Sequence, residues 1–227
     1  GGGEDVRALL DLVFPPRCAG CDAPGALLCD ECRLAVARID PASACLRCGA
    51  PLGGHAACAE CRGSMFAFSA ARCAATLEPP VSRAVVLLKD GGERRYAGVL
   101  AELLAGCAGG WLDPGDVLVP VPASPSAVRR RGFDHAADIA RELGRCVDLP
   151  VLRPLRSTRG ADQRALGRSE RFANRQGAFE VDGACGLRQA VLVDDVFTTG
   201  ATFDAAARAL TGAGVTRVRA LAVARSV

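Results

Sequence analysis

Lysine is almost absent from this chain: of 28 cationic side chains only Lys89 is a lysine, and aromatic residues make up 4% of the sequence. The arginine excess is what a genome-composition bias would give as readily as selection for function, although guanidinium forks do suit phosphate. No apolar run approaches the roughly 20 residues needed to cross a bilayer. Nor is there a charged-then-apolar leader ending in a small-residue cleavage site, so the expectation is a soluble, cytoplasmic protein. A Gly-x-x-x-x-Gly-Lys-[Ser/Thr] loop is missing too, which removes support for an NTPase. The opening Gly1-Gly2-Gly3, without methionine, is uninformative about the true start.

What is present is a chain of 227 residues, half of them hydrophobic, with a net charge of +3. Leu, Ala and Val supply that hydrophobicity, enough for one α/β domain with a small appendage. Eight of the twelve cysteines fall in four Cys-x-x-Cys pairs: Cys18/Cys21, Cys29/Cys32, Cys45/Cys48 and Cys58/Cys61. Two thiolates at that spacing bind one ion from a tight turn, whereas a disulfide across it is strained. The expectation is two structural zinc ions with four cysteine ligands each, paired either sequentially or in a cross-brace. Structural disulfides are the alternative, disfavoured without a leader. A closed four-thiolate shell has no open position for water or substrate, so the metals staple a segment with few large apolar side chains rather than catalyse. Cys73, Cys107, Cys146 and Cys185 lack partners at metal spacing and read as small buried hydrophobes.

Beyond a short apolar stretch over Val6–Phe14, read as a helix, apolar periodicity predicts strands over 70–77, 117–121, 190–193 and 215–224. Helices are predicted over 81–88, 97–107, 133–144 and 202–210. That alternation implies a mainly parallel sheet flanked by helices, with a small N-terminal cysteine-rich zinc-binding domain. The division expected is 1–66 for the N-terminal helix and zinc segment and 67–227 for the α/β domain.

The most informative stretch runs from Val191 to Thr202, Val-Leu-Val-Asp-Asp-Val-Phe-Thr-Thr-Gly-Ala-Thr. A hydrophobic strand delivers Asp194 and Asp195 at its carboxyl end, the edge of an open α/β sheet where ligands bind. A Thr/Gly loop then opens a helix, whose backbone N–H groups, with the hydroxyls of Thr198, Thr199 and Thr202, form an anion cradle for a phosphate. Carboxylates repel phosphate, so the acids should face neutral hydroxyls, and the combination selects a sugar phosphate. The plainer alternative is a helix N-cap beside solvated acids.

This stretch resembles the 5-phosphoribosyl-1-pyrophosphate (PRPP) signature of the type I phosphoribosyltransferases. The resemblance implies that Asp194 and Asp195 hold the ribose hydroxyls while Thr198, Thr199, Gly200, Ala201 and Thr202 hold the 5′-phosphate, with magnesium accompanying PRPP. Over nearly its whole length the chain also resembles the ComF family of competence-associated proteins. That match rests on Leu9-Leu10-Asp11-Leu12-Val13-Phe14-Pro15-Pro16-Arg17-Cys18, on Val119-Pro120-Val121-Pro122 with Arg129-Arg130-Arg131-Gly132-Phe133, and on Gln163, Leu166, Arg171, Asn174 and Phe179. Asp134 and His135 stand where that family usually shows Asn-Gln. The resemblance implies pyrophosphate contact at Ser124 and Arg129, Arg130 and Arg131, with a solvated basic turn as the alternative. It implies a hood loop carrying Gln163, Arg171 and Asn174, with a plain surface loop as the alternative.

Two functions follow from the resemblance. One is transfer of the phosphoribosyl group to a nitrogen acceptor, for which no dedicated base is visible, since Thr198 stands where purine-specific enzymes often carry an aspartate. The other is a non-catalytic factor that binds PRPP and single-stranded DNA during DNA uptake, working with DNA-uptake proteins. From Ser124 to Arg175 twelve arginines face six acids, a charge that suits either a nucleic-acid backbone or PRPP itself.

Overall fold

A computed structural model of the chain describes residues 15–52, 58, 61, 65–158, 177–183 and 186–227. The stretch Val6–Phe14, Cys185, and Gln163, Arg171 and Asn174 lie outside the described residues.

Four strands form a fully parallel sheet in the order β1-β6-β5-β2, with β1 at Ala71–Thr76, β2 at Leu118–Pro120, β5 at Gln189–Phe197 and β6 at Arg217–Arg225. The near-continuous apolar runs of β5 and β6 are what a parallel strand covered on both faces demands. Their side chains divide with a period of two. Val191, Val193, Leu221 and Val223 pack against α2 (Val81–Lys89), α3 (Tyr96–Ala108) and α5 (His135–Val147), while Ala190, Leu192, Ala220 and Ala222 pack against α6 (Ala201–Gly212). The class expected from the alternation of elements is therefore the one observed.

Three elements were not expected. Pro125–Arg131 is a helix, α4, rather than a basic turn: the Ser124 hydroxyl accepts from the Ala127 N–H, Pro125 sits in the first turn, and Gly132 at φ 79° ends it. Those are strong start and stop signals, hidden from a reading of apolar periodicity because none of its residues is buried. The antiparallel ribbon of β3 (Leu155–Ser157) and β4 (Phe179–Val181) is only three residues a side and joins partners more than twenty residues apart. A single helical turn, α1 (Asp30–Leu34), follows Cys29.

The cysteine-rich segment straddles the sheet. Cys18, Ala19, Leu28 and Val36 belong to the core on the α2/α3 face; Ile39, Cys45, Cys48 and Cys61 belong to the core on the α6 face. The crossing occurs at the outer edge of β1. There the Ile39 N–H donates to the Ala74 carbonyl at 3.0 Å and the Thr76 N–H to the Ala37 carbonyl at 3.0 Å. At the opposite edge Leu118 of β2 accepts from the Leu152 N–H at 3.0 Å and donates to the Pro150 carbonyl at 2.9 Å.

Candidate functional site

The strand carrying the acid pair does not stop at it. β5 continues through Asp194 and Asp195 to Phe197, paired with β6 as far as Arg225, because the residues after the acids are apolar and find a covered surface. The acids thus stand in the last turns of a strand, beside the carboxyl end of β2, where the crevice of an open α/β sheet lies. A cavity of about 380 Å³ opens there, within the range of small-molecule sites.

Its walls come from several elements. Lys89 arrives from the end of α2, Ser124, Ser126, Ala127 and Arg131 from α4 and its cap, His135 from the start of α5, and Ser157 and Phe179 from the β3/β4 ribbon. Asp194, Asp195 and Thr202 complete it. Of the expected residues, the acids, Thr202, Ser124 and Arg131 meet around one space. Thr198 and Thr199 are exposed, and so are Arg129 and Arg130, on the solvent side of α4. Gly200, at φ 79°, precedes the first turn of α6. Gln163, Arg171 and Asn174 fall in sequence between two strands whose residues Ser157 and Phe179 line the cavity.

The acids do not face neutral hydroxyls alone, as the sequence led us to expect. Asp195 is ion-paired to Lys89, and His135 Nε2 lies 3.6 Å from an Asp195 oxygen and 3.7 Å from an Asp194 oxygen. Burial would raise the Asp195 carboxyl, but His135 and Lys89 overcome it and hold the group well below the usual carboxylate range. On Asp194 the Lys89 charge is the weakest of the influences. Burial and the neighbouring Asp195 push it up to about 6 against the pull of His135. Burial would lower His135, yet the two carboxylates prevail and raise it to about 9. The cluster is thus nearly neutral at pH 7, two acids against two cations, which is how buried charge is tolerated.

Asp134, the other departure from the ComF pattern, is a helix cap: its side chain accepts from the Ala137 N–H at 3.4 Å and pairs with Arg153 at 3.3 Å. It thereby points His135 into the crevice. Lys89 and His135 are the residues that reading the sequence missed. The available signals were that Lys89 is the only lysine and that His135 immediately follows a cap residue, but neither reveals a partner more than fifty residues away.

The eight paired cysteines form two sequential quartets, Cys18/Cys21/Cys29/Cys32 and Cys45/Cys48/Cys58/Cys61, the four sulfurs of each within 4.8 Å of one another. Sulfur separations of 3.6 Å for Cys18–Cys29, 3.7 Å for Cys21–Cys29 and 3.4 Å for Cys48–Cys58 approach the edge of a tetrahedral zinc thiolate site, about 3.8 Å for zinc–sulfur bonds of about 2.3 Å. Backbone N–H groups of Gly20 and Cys29 donate to Cys18 Sγ. Burial raises that thiol, but those donors and the Cys21 N–H bring it down to about 6, whereas sharing with Cys29 and burial push Cys32 up to about 12. Thiols crowded in this way cannot all ionise without a cation, so the donor set fits zinc as a structural ion. Of the remaining cysteines, Cys73 and Cys107 are buried as expected, but Cys146 is exposed on α5.

Comparison with known proteins agrees with the description of the cysteine-rich segment. Residues 9–62 match the double zinc ribbon domain. Competence protein ComFC of Bacillus subtilis (strain 168) is 26% identical, with 82% of this chain and 79% of that protein covered. The DNA utilization protein YhgH of Escherichia coli (strain K12) is 29% identical, with 95% of this chain and 100% of that protein covered. Competence protein F of Haemophilus influenzae is 30% identical over 116 residues, a match spanning about half of each chain, 49% of this one and 51% of that protein. Among solved structures, the glutamine PRPP amidotransferase of B. subtilis complexed with ADP and GMP overlaps 56% of this chain and 25% of its own, at 19% identity and a TM-score of 0.40.

Proposed function

We infer that the chain belongs to the ComF family, from similarity to ComFC and YhgH over most of its length, and propose that it binds PRPP in the crevice between β2 and β5. The observation that supports this most directly is the convergence on one cavity of the acid pair, the first turn of α6, and the cationic or hydroxyl groups of Lys89, Ser124, Ser126 and Arg131. In this reading Asp194 and Asp195 receive the ribose hydroxyls. Thr202 and the amides following Gly200 receive the 5′-phosphate. Ser124, Ser126, Arg131 and Lys89 receive the pyrophosphate. The exposed Thr198 and Thr199 close the loop rather than line the cavity.

Magnesium would enter on the phosphate oxygens of PRPP and not on the protein. It seeks oxygen ligands in an octahedron, and here the acids are already met by an imidazole and an ammonium group. What the chain contributes to phosphoribosyl transfer is placement and charge: a fixed ribose, a cationic seat for departing pyrophosphate, and an open side for a nitrogen acceptor. No dedicated general base stands ready, since His135 Nε2 is engaged with the acids and Thr198 is exposed, so an acceptor must be nucleophilic in its own right.

A second reading has separate support. The named relatives include competence and DNA-utilisation proteins, and Arg129 and Arg130 face solvent outside the cavity. A role in DNA uptake with these arginines on a nucleic-acid backbone is compatible with PRPP binding next door.

Calorimetric titration with PRPP and Mg²⁺ tests the shared claim. Asp194→Asn/Asp195→Asn should weaken binding by about 100-fold, the loss of two charge-assisted hydrogen bonds. Unchanged affinity would remove the proposal. Pyrophosphate release with a panel of nitrogenous bases would then assign transfer, and salt-dependent oligonucleotide binding without release would assign the DNA role.

A further inference from the structure

The two cysteine quartets differ in what lies behind them. Shortly after Cys61 in the sequence come Phe66 and Phe68, whose rings stack at 4.7 Å. Both meet Phe197 edge-on, at 6.5 and 6.1 Å, and Phe197 stacks on Phe203 at 5.2 Å. Phe197 ends β5 and Phe203 lies in the first turn of α6, so these rings bracket the loop 198–202 on both sides. The loop backbone rests on them: a Cβ added at Gly200 would come within 2.8 Å of Phe197 and 3.0 Å of Phe66. From the same segment the Ala67 N–H donates to Asp204 Oδ1 at 2.7 Å, tying down the first turn of α6.

The other side of this prop is the second quartet. Cys45, Cys48 and Cys61 share one buried cluster with Phe68, Phe197 and Phe203. The Ala71 N–H donates to the Leu46 carbonyl at 3.0 Å, and Cys73 Sγ donates to the Cys48 carbonyl at 3.6 Å. Gly49, at φ 68°, lies so close to Cys73 that a Cβ there would stand 2.8 Å from its backbone nitrogen. Among the described residues the first quartet has no such connection. Its neighbours are Val81, Ala84, Val85 and Tyr96, on the opposite face of the sheet.

We propose that the second cysteine quartet, acting through Phe66, Ala67 and Phe68, holds the loop 198–202 in its anion-binding shape, so that the metal state of this quartet alone sets the affinity of the phosphate seat. The affinity claim rests on reading that loop as the 5′-phosphate seat; the mechanical claim does not. Phe66 and Phe68 are positioning residues, touching no ligand themselves. Loss of the metal, or oxidation of its thiols, would free Phe66, Ala67 and Phe68 and with them the support under Gly200. A loop competent for only part of the time binds in proportion to that fraction.

The test uses the full-length chain and two matched double variants, Cys48→Ser/Cys58→Ser and Cys21→Ser/Cys32→Ser, each left with too few thiols for one ion. Native mass spectrometry counts zinc, hydrogen exchange reads the amides of 198–204 without any ligand, and titration with ribose 5-phosphate reads the seat. The second-quartet variant should exchange about tenfold faster at 198–204 and bind ribose 5-phosphate about tenfold more weakly, while the first-quartet variant stays within about twofold on both. Phe66→Leu, which spares every thiol, should keep two zinc ions and still quicken exchange at 198–204, and so decides the matter if the second-quartet variant does not fold. Equal effects from both quartets, or an unaltered loop in Phe66→Leu, would overturn the proposal. Should the unmodified chain fail to bind ribose 5-phosphate or PRPP, the phosphate reading falls, and the exchange measurements still judge the coupling.

Discussion

The two quartets share a motif, a spacing and a metal chemistry, yet they occupy opposite faces of one sheet and do different work. The first keeps Cys21 exposed and Cys29 and Cys32 half-buried. It is fastened to the helical face by polar threads, the Tyr96 hydroxyl donating to the Arg17 carbonyl at 2.6 Å and Arg83 to the Gly20 carbonyl at 2.8 Å. The second buries three of its four thiols and merges with the aromatic core beneath the loop after β5. The difference teaches that ligand spacing reports the ion and says nothing of its duty, which is set by what the knuckle leans on.

Several perturbations would sharpen or break that contrast. Stripping both metals with a chelator should have the largest effect, because structural zinc is worth about 10–16 kcal/mol to an isolated knuckle. Thermal unfolding should lose its cooperative transition, and a transition retained intact would mean that neither quartet carries the fold. Phe203→Ala, in the cluster that includes the second quartet, should cost about 3–5 kcal/mol by denaturant titration, as for a buried aromatic whose cavity cannot collapse. A loss below about 1 kcal/mol would show that the rings are not a load shared with the quartet.

Acidity offers a third probe, on the helical face. His135 meets Asp194, Asp195 and, through Asp195, Lys89. Its folded pKa lies above the ordinary 6.5, so the stability it lends is full below pH 6.5 and drains away as pH rises through about 9. Stability measured from pH 6 to 10 should fall in that window, and His135→Asn should flatten the fall; an unchanged slope in the variant would refute the pairing. Smallest of all, Tyr96→Phe removes the hydrogen bond to the Arg17 carbonyl beside the first quartet and should cost about 1 kcal/mol, with ribose 5-phosphate affinity unmoved.

Much of this was legible beforehand. The cysteine pairs named the metal sites, and the run Val191–Thr202 marked the strand, acids and helix start, because both are local patterns whose chemistry depends on neighbours in sequence. The parallel sheet followed from apolar runs alternating with helical spacing. What escaped depends on distance along the chain. Lys89 reaches Asp195 across more than a hundred residues, so nothing local foretold that the acid pair would carry its own cations. The helix of Pro125–Arg131 escaped because it buries nothing, leaving only its cap and Pro125 to announce it. The unequal roles of the quartets were invisible because Phe66 and Phe68 read as two unremarkable aromatics until Phe197 and Phe203 are brought beside them.

The passage of residues 37–39 along β1 carries a lesson about aggregation. Strand margins with unpaired amides recruit other chains, and here the stretch between the knuckles lies along one margin while Pro150 and Leu152 occupy the other. Were residues 37–39 to leave that margin on loss of the metals, the Ala74 carbonyl and Thr76 amide would be bared as a template for strand-by-strand association.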